Sequence, residues 1–274
     1  MKNPNLLFQI FFLTLIFASC SSGDDSNESK DLTYIPDDNF EQILIARGQD
    51  DVLDNYVRTA NISSDIELDI VNSDISDITG IEGFKSLEYL DCSLNNLTSL
   101  DLSKNTALTY LSCNSNNLAS INLSKNTVLT SLSCQWNNLT SLDISFNTAL
   151  TDLYCRENQL SNIDTSKNIA LLDLDCSNNS ITNLNLSNNT DLTHLWCNNN
   201  QIISLDVSNN IVLESLDCFQ NQLTSLDVSN NTLLSWFNCA GNPVDCIQVN
   251  ADQLNSVPAN WNKNDTSAYS TNCN

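Results

Sequence analysis

Eight cysteines recur along this chain at a constant spacing of 21 residues, and thiols so regularly placed could form disulfides, bind a metal or fill a core. They are Cys92, Cys113, Cys134, Cys155, Cys176, Cys197, Cys218 and Cys239. A fixed period of this length predicts a solenoid of stacked turns, in which the thiols form one column. Neighbouring Cβ atoms in that column would be about 5 Å apart, farther than a disulfide prefers, and a straight column cannot surround a zinc ion tetrahedrally. We therefore predict free, buried thiols that act as small apolar fillers, with metal binding as the alternative.

Two further cysteines lie beyond this column, near the end of the chain. Cys246 and Cys273 flank a segment without the repeat pattern and would close a loop of 27 residues. We predict a disulfide between them, which would add about 3 kcal/mol of stability in the chain-entropy model.

A second periodic set of side chains raises the question of calcium. An aspartate or asparagine recurs two residues before a serine, at Asp101, Asn122, Asp143, Asp164, Asn185, Asp206 and Asp227. A column of carboxylates about 5 Å apart is repulsive, and Ca²⁺ would neutralise it. The glycine-rich loops of calcium-binding β-rolls are absent from the sequence. We therefore predict Asx turns to backbone amides, with no bound metal or cofactor, and keep calcium as the alternative.

Residues that could carry out catalysis are few. The chain has a single histidine, His194, and no glycine-rich phosphate-binding loop. Asp173 and Asp175 could act as an acid and a base, but we expect them on an open sheet that does not exclude water. The sequence therefore predicts that this protein is not an enzyme.

The elements that position these residues follow from the pattern of one turn. Leu87, Leu90, Cys92, Asn95 and Leu97 give the spacing L-x-x-L-x-C-x-x-N-x-L, which resembles the leucine-rich repeat with cysteine at the third apolar position. The asparagine recurs in every following turn, at Asn116, Asn137, Asn158, Asn179, Asn200, Asn221 and Asn242. The resemblance implies that its amide lies inside the turn and bonds to backbone groups left over where the strand ends.

The second half of each turn copies the first. Leu97, Leu100, Leu102 and Asn105 repeat the spacing, which resembles bacterial repeats with nested periodicity. A turn with two extended segments leaves no room for a full helix, since a typical helix takes about 11 residues. We therefore predict a mainly β leucine-rich-repeat solenoid, with one parallel sheet on its concave face and short strands or extended backbone on the other side.

Both ends of such a solenoid need covering, and the sequence offers a cap at each end. The first turn contains ISDITGIEGF and is similar to internalin-type repeats, so the repeats should occupy residues 66–242. Residues 34–65 are predicted to form a small helical N-terminal cap around one amphipathic helix. Residues 243–274 should form a C-terminal cap in which Trp261 and Tyr269 cover the last turn.

Side chains alternate along a strand, so the residues between the inward leucine and cysteine positions should face out from the concave sheet. These outward residues are rich in aromatic and acidic types: Tyr89, Tyr110, Trp136, Tyr154, His194, Trp196, Phe219 and Trp236, interleaved with Asp91, Asp152, Asp173, Asp175 and Asp217. Arg156 adds a basic side chain to the same strip. Exposed aromatic residues form interface hot spots and stack on sugar rings, so we predict a ligand-binding face. The alternative is that ordinary surface aromatics pack on one another along the sheet.

The charge of the chain bounds its partners. Its 274 residues include 10 basic and 33 acidic side chains, which gives a formal net charge of −23. So acidic a surface repels phosphate, and this argues against nucleic acid or anionic lipid as a partner.

The beginning of the chain predicts where it is delivered. Residues 1–20 have the pattern of a secretory signal, with an apolar run and small residues directly before Cys20. Phe-Ala-Ser-Cys resembles a lipoprotein box, which implies that acyl chains on Cys20 anchor the protein to a membrane. Residues 21–33 are polar and acidic and predict a flexible tether. Their acidic run is similar to the export signal of surface lipoproteins in some Gram-negative bacteria. We expect an outer-membrane lipoprotein exposed at the cell surface, with a periplasmic orientation as the alternative.

Taken together, these features resemble a bacterial leucine-rich-repeat surface lipoprotein. The resemblance implies a surface-anchored binding protein whose concave face holds a protein ligand, for adhesion or for assembly of an envelope complex. One alternative is a glycan-capture module, in which aromatic side chains such as Tyr154 and Trp196 stack on sugar rings. The other is a passive structural spacer of the envelope.

Overall fold

The computed structural model describes residues 31–273, and from Leu32 onward these residues form one compact unit. The predicted signal peptide, the predicted lipidation site Cys20 and most of the predicted tether lie outside the described residues. In chain order the elements are β1 (Leu32–Tyr34), α1 (Asp38–Ala46), β2 (Tyr56–Arg58), α2 (Thr59–Ile62), β3 (Glu67–Asp69), a 3-10 turn (Ile81–Gly83), β4 (Tyr89–Asp91), β5 (Tyr110–Ser112), β6 (Ser131–Ser133), β7 (Asp152–Tyr154), β8 (Asp173–Asp175), β9 (His194–Trp196), β10 (Ser215–Asp217), β11 (Leu226–Asp227), β12 (Trp236–Asn238), β13 (Cys246–Gln248), α3 (Ala251–Asn255), β14 (Trp261–Asn262) and β15 (Ala268–Ser270). Within residues 31–273, no helix has the length and apolar character needed to span a membrane.

Ten strands form one parallel sheet, which we call the main sheet. They follow one another across it in the order β3, β4, β5, β6, β7, β8, β9, β10, β12 and β14. Each residue pairs with its counterpart one repeat later, as Leu90 does with Leu111 and Leu111 with Leu132. Because every turn adds a strand in the same register, each repeat position becomes a straight column of side chains. The predicted mainly β solenoid with a parallel sheet along one side is confirmed.

The core is a stack of apolar columns between the two sides of the solenoid. The strands from β4 to β10 are three residues long, with a buried central leucine flanked mostly by partly exposed residues. All eight cysteines of the column are buried and free. The second half of each turn also contributes to the core. In the first turn that contains a cysteine, these buried residues are Leu97, Leu100 and Leu102. No single turn could bury this surface alone, so the stacking of turns provides most of the stability.

The main-sheet strands end in the same way in successive turns. The second residue after each cysteine has a left-handed backbone, with φ between 51° and 75°: Leu94, Ser115, Trp136, Glu157, Asn178, Asn199, Gln220 and Gly241. The next residue is the recurring asparagine. In one turn, Asn137 Nδ2 donates to the carbonyls of Cys113 and Cys134, at 2.9 and 3.2 Å, and its Oδ1 accepts the Leu118 N–H at 3.0 Å. The asparagine therefore bonds backbone groups of adjacent turns, as the leucine-rich-repeat resemblance implies.

The opposite side of most turns is extended backbone, as predicted. Among the described residues, strands pair there near the C-terminal end, where β11, β13 and β15 form a three-stranded parallel sheet.

The N-terminal cap consists of α1, α2 and the antiparallel pair β1 and β2. α1 starts after Asp37, whose side chain accepts hydrogen bonds from backbone N–H groups of the first helical turn, and it buries Phe40 as the amphipathic pattern predicts. The second Asp37 carboxylate oxygen accepts the N–H groups of Ser76 and Asp77, at 2.8 and 3.1 Å. Burial opposes ionisation, but these hydrogen bonds lower the pKa of Asp37 below its ordinary value. One carboxylate thus joins the cap to the first repeat turn.

The cap begins earlier than the sequence predicts. The polar composition predicts a tether that extends to residue 33, whereas the structure places Leu32 and Thr33 in β1, with Thr33 opposite Val57 of β2. Thr33 is buried, and its hydroxyl shares a hydrogen bond of 2.9 Å with the hydroxyl of Thr59. Because of the strand pairing and this hydrogen bond, Leu32 and Thr33 belong to the cap and not to the tether.

The C-terminal cap adds one strand, β14, to the end of the main sheet and covers the last turn. Trp261 in β14 is buried, and its ring lies edge-on to Phe237 and Tyr269, with centroids 5.2 and 5.7 Å apart. This is the covering role predicted for Trp261 and Tyr269. A disulfide joins Cys246 to Cys273, the predicted pair, with their Cα atoms 5.7 Å apart.

Candidate ligand-binding face

The outer surface of the main sheet arranges the predicted binding residues in three columns, which we together call the sheet face. The residues before the central leucine or phenylalanine of each strand include Tyr89, Tyr110, Asp152, Asp173, His194 and Trp236. The residues after it include Asp91, Tyr154, Asp175, Trp196 and Asp217. The residues directly after the cysteines include Arg156 and Phe219. Adjacent strands lie about 4.8 Å apart, so members of one column are close neighbours.

Trp136 departs from these columns. The alternation predicts it among the outward strand residues, but it follows β6 and takes the left-handed position, with φ of 51°. That conformation turns the chain out of the strand, so the half-exposed indole borders the sheet face. The Arg156 guanidinium lies over its ring at 5.6 Å from the centroid, and Nη2 of Arg156 is 3.7 Å from the Glu157 carboxylate. Trp136 and Glu157 therefore engage the charge of Arg156.

Tyr89 and Tyr110 stack directly on each other near the N-terminal end of the sheet face. Their ring centroids are 4.4 Å apart and the planes differ by 5°. Burial, followed by the proximity of Tyr110, raises the pKa of Tyr89 to about 12. Since each ring covers one face of the other, this pair matches the alternative that some aromatics pack together along the sheet.

His194 forms a cluster with Asp173, Thr193 and Trp196. Its Nδ1 lies 2.7 Å from Asp173 Oδ1 and 2.9 Å from Thr193 Oγ1, and its ring stacks on Trp196 with centroids 5.4 Å apart. Both polar contacts use the same ring nitrogen. In a catalytic triad the nucleophile and the carboxylate contact opposite ring nitrogens, so His194 cannot take a proton from Thr193 while Asp173 orients the ring. The cluster instead restricts the orientation of the Trp196 ring.

A pocket of about 320 Å³ opens on the sheet face around Asp175. Its lining consists of Tyr154, Arg156, Asp175, Ser177, Trp196, Asn198 and Asp217. Ser177 and Asn198 are not among the binding residues predicted from the sequence. They stand one and two repeats after Arg156 in the same column, so the repeat register was the signal that could have found them.

The pocket places carboxylates beside aromatic rings. Burial raises the pKa of Tyr154 to about 12, with a further contribution from Asp173, whose Oδ2 accepts the phenol hydroxyl at 3.4 Å. Burial also raises the pKa of Asp217; the N–H of Phe219 opposes this and Asp175 adds to it. The ionised form of Asp217 is thus less favourable in the free protein than that of an exposed aspartate.

The buried thiols of the cysteine column are unreactive at neutral pH. Burial raises the pKa of all eight thiols, to about 12 for Cys92, Cys134 and Cys239. Since the thiolate is the reactive and metal-binding form, these side chains behave at neutral pH as the predicted apolar fillers. Across residues 31–273, no three or more His, Cys, Asp or Glu side chains converge as metal ligands.

The aspartate and asparagine column of the second half-turns forms Asx turns. Asp101 Oδ1 accepts the N–H of Ser103 at 2.9 Å, and the same bond recurs in all seven turns. Hydrogen bonds from the following serines lower the pKa of Asp101, Asp143, Asp164 and Asp206. The backbone thus bonds the carboxylates that raised the question of calcium, in the manner predicted.

Comparison with known proteins agrees with this fold. No protein-family model matches the chain. A stretch of 73 residues, 27% of the chain, is 42% identical to Internalin J of Listeria monocytogenes and corresponds to 8% of that protein. The solved functional domain of Internalin J, which includes a cysteine ladder, matches with a TM-score of 0.65 and 34% identity over 80% of this chain and 56% of that one.

Two more distant structures show the fold alone. Internalin C2 of L. monocytogenes matches with a TM-score of 0.62 at 20% identity, over 86% of this chain and 95% of its own. A leucine-rich-repeat protein of Leptospira interrogans matches with a TM-score of 0.56 at 20% identity, over 62% of this chain and 50% of its own. The chain spans about half the length of the Internalin J domain. It is an internalin-like leucine-rich-repeat solenoid with a 21-residue period.

Proposed function

We propose that this protein is a non-enzymatic binding protein of the cell surface, and that the sheet face of its solenoid holds a protein ligand. The observation that carries the proposal is the alternation of Tyr154, Asp175, Trp196 and Asp217 on four neighbouring strands around one pocket. Partly exposed aromatics that border a pocket are the residues that interfaces use as hot spots. The likeness to Internalin J supports a binding role by fold, whereas the ligand has to be argued from these side chains.

The geometry supports binding rather than catalysis. The candidate acids and bases lie on an open sheet, where water reaches the site. His194 makes both of its polar contacts through Nδ1, so Thr193, His194 and Asp173 do not form a nucleophile–histidine–carboxylate triad.

The proposal includes attachment to the outer membrane through acyl chains on Cys20, with the solenoid exposed at the cell surface and serving in adhesion. The leader pattern and the acidic segment after Cys20 support this address. In a Cys20→Ser variant the protein should leave the membrane fraction. Digestion of the anchored protein by protease added to intact cells is expected for surface exposure, and full protection would indicate the periplasmic orientation.

The ligand-binding proposal is tested by a screen against extracellular proteins and glycans. The sample is the chain from residue 21 onward, which contains every described residue and lacks the acylation site. It is compared with a Tyr154→Ala, Trp196→Ala double variant and with Phe146→Ala. Phe146 is a matched control because this aromatic residue is 53% exposed in the second half of a turn, away from the sheet face. We expect a protein ligand that the double variant loses and the control retains.

The same screen separates the alternatives. A glycan ligand lost only in the double variant would identify a glycan-capture module, in which Tyr154 and Trp196 stack on sugar rings. A ligand retained by the double variant would contradict the assignment of the sheet face. If neither a protein nor a glycan binds, a role as a structural spacer would be favoured.

A further inference from the structure

The pocket around Asp175 is walled by two aromatic side chains on either side of a carboxylate. Tyr154 pairs in register with Asp175, and Asp175 pairs with Trp196. At about 4.8 Å per strand, the two aromatic residues are roughly 10 Å apart along the sheet. Unlike Tyr89 and Tyr110, which close on each other, these rings are separated by an acidic residue, and the space between them is the pocket.

The carboxylates of this pocket retain unused acceptor capacity. Asp175 Oδ1 accepts both the N–H and the hydroxyl of Ser177, and Asp217 Oδ1 accepts the N–H of Phe219 at 3.0 Å. Within the described part of the chain, the second oxygen of each carboxylate receives no hydrogen bond. These oxygens are available to an incoming donor.

The basic side chains nearest to the pocket already have partners. Arg156 contributes to the lining, but its guanidinium stacks on Trp136 and approaches Glu157. His194 is bonded to Asp173 at 2.7 Å, in the neighbouring column. Asp175 and Asp217 therefore have no ion-pair partner among the described residues.

We infer that the pocket between Tyr154 and Trp196 receives a lysine or arginine side chain from a basic segment of the protein partner. This inference rests on the proposed function and names the chemistry of its ligand. The aromatic walls would contact the alkyl stem and the cation, and Asp175 and Asp217 would bond the charged head. A net charge of −23 would attract such a segment from a distance. A neutral sugar would leave both carboxylates without a counter-charge.

The test uses a fluorescent hexalysine peptide, the same peptide with every lysine acetylated, and a neutral hexasaccharide. Binding to the chain from residue 21 onward is measured by fluorescence anisotropy at physiological ionic strength. The first variant, Asp175→Asn with Asp217→Asn, removes the two pocket charges. The matched control, Asp143→Asn with Asp206→Asn, removes the same charge from the Asx turns, where Asn122 and Asn185 occupy equivalent positions.

We expect hexalysine to bind, and its affinity to fall by about tenfold or more in the pocket variant and by less than about threefold in the control. Equal losses in the two variants would show attraction to overall charge and overturn the inference. Equally tight binding of the acetylated peptide, or preference for the hexasaccharide, would also overturn it.

Failure of this inference can be distinguished from failure of the proposed function. If hexalysine does not bind but the screen finds another ligand that the Tyr154→Ala, Trp196→Ala variant loses, the sheet face remains a binding face and only the basic partner is wrong. If hexalysine does not bind and no ligand in the screen depends on those aromatics, both are wrong.

Discussion

The two halves of each turn carry nearly the same apolar pattern but satisfy their backbones differently. In the first half, Asn137 bonds through both ends of its amide, with Nδ2 donating to carbonyls and Oδ1 accepting the Leu118 N–H. In the second half, Asn147 Nδ2 donates to the carbonyls of Leu123 and Asn126, and its Oδ1 is buried without a partner. The same unpartnered oxygen recurs at Asn105, Asn126, Asn168, Asn210 and Asn231.

The backbone path explains the difference. Before the first asparagine the chain is left-handed, and its N–H groups continue to donate to the next turn, as Trp136 N–H does to the Arg156 carbonyl at 3.0 Å. Before the second asparagine the bonds stay within the turn, as in Asn147 N–H to the Ile144 carbonyl at 3.0 Å. Bonds between turns hold the sheet-face columns in register. The candidate binding residues therefore lie on the half of the turn whose backbone is fixed by its neighbours.

The largest expected effect concerns the eight free thiols of residues 31–273, all of which lie in the first-half column of the core. Their pKa is raised in the folded protein, whereas an unfolded thiol has a pKa of about 8.5. Below about pH 8.5 the thiols are protonated in both the folded and the unfolded chain, so they cause no loss of stability. Above it the unfolded chain releases protons that the folded chain keeps, so stability falls by about 1.4 kcal/mol per pH unit for each thiol. Urea unfolding between neutral pH and about pH 10 should show a steep loss.

A pair of variants assigns that loss to the thiols. Cys134→Ala removes one titrating group from the first half, so the slope of unfolding free energy against pH should become shallower by one proton. Ile144→Val shortens a buried side chain of the second half and should lower stability by about 1 kcal/mol at every pH without changing the slope. Identical slopes in all three proteins would mean that the column does not govern the alkaline loss.

Much of the fold was predictable because the repeat fixes the register. Once the 21-residue period is read, the leucine, cysteine and asparagine columns follow, and so does the parallel sheet. The left-handed residue was not predictable by type, since Leu94, Trp136 and Glu157 are side chains that this conformation disfavours. It is imposed by position in the turn, and that is why Trp136 borders the sheet face.

The candidate site was predictable as a set of outward residues but not as a pocket. Alternation along each strand gives the direction of Tyr154 and Trp196, yet whether two aromatics close on each other depends on the strands between them. Tyr89 and Tyr110 lie on adjacent strands and stack, whereas Asp175 separates Tyr154 from Trp196. The polar residues of the third column then complete the lining, and their composition alone gave no signal.

An intermediate effect should distinguish the two asparagine columns. Asn137→Ala would remove the partner of the Leu118 N–H, whereas Asn147→Ala would leave the Leu123 carbonyl bonded to the N–H of Asn126. Asn137→Ala leaves the buried Leu118 N–H without an acceptor. Asn147→Ala instead removes a buried oxygen, Asn147 Oδ1, that had no partner. We expect Asn137→Ala to destabilise the protein by about 1–3 kcal/mol more than Asn147→Ala.

Chemical denaturation at neutral pH measures this difference, and both sites are almost fully buried, so their cavity costs are comparable. Equal destabilisation would show that the unpartnered oxygen is bonded in solution, for example by water. The distinction between the two half-turns would then disappear.

The smallest effect tests the exception in the second column. Thr165 replaces the usual aliphatic residue, and its Oγ1 donates to Asn189 Oδ1 at 2.8 Å, which gives that oxygen the partner its counterparts lack. Val207 occupies the same position two turns later, below the unpartnered Asn231 Oδ1. In Val207→Thr the added hydroxyl should donate to Asn231 Oδ1, so the free energy of unfolding should change by less than about 0.5 kcal/mol.

Val228→Thr is the control, because Val228 is equally buried but has no asparagine 24 residues later. This substitution should lower the free energy of unfolding by about 1–3 kcal/mol. Equal destabilisation by the two substitutions would mean that the asparagine Oδ1 atoms of the second half-turns are not free acceptors, because the hydroxyl added at residue 207 would then gain no hydrogen bond from Asn231.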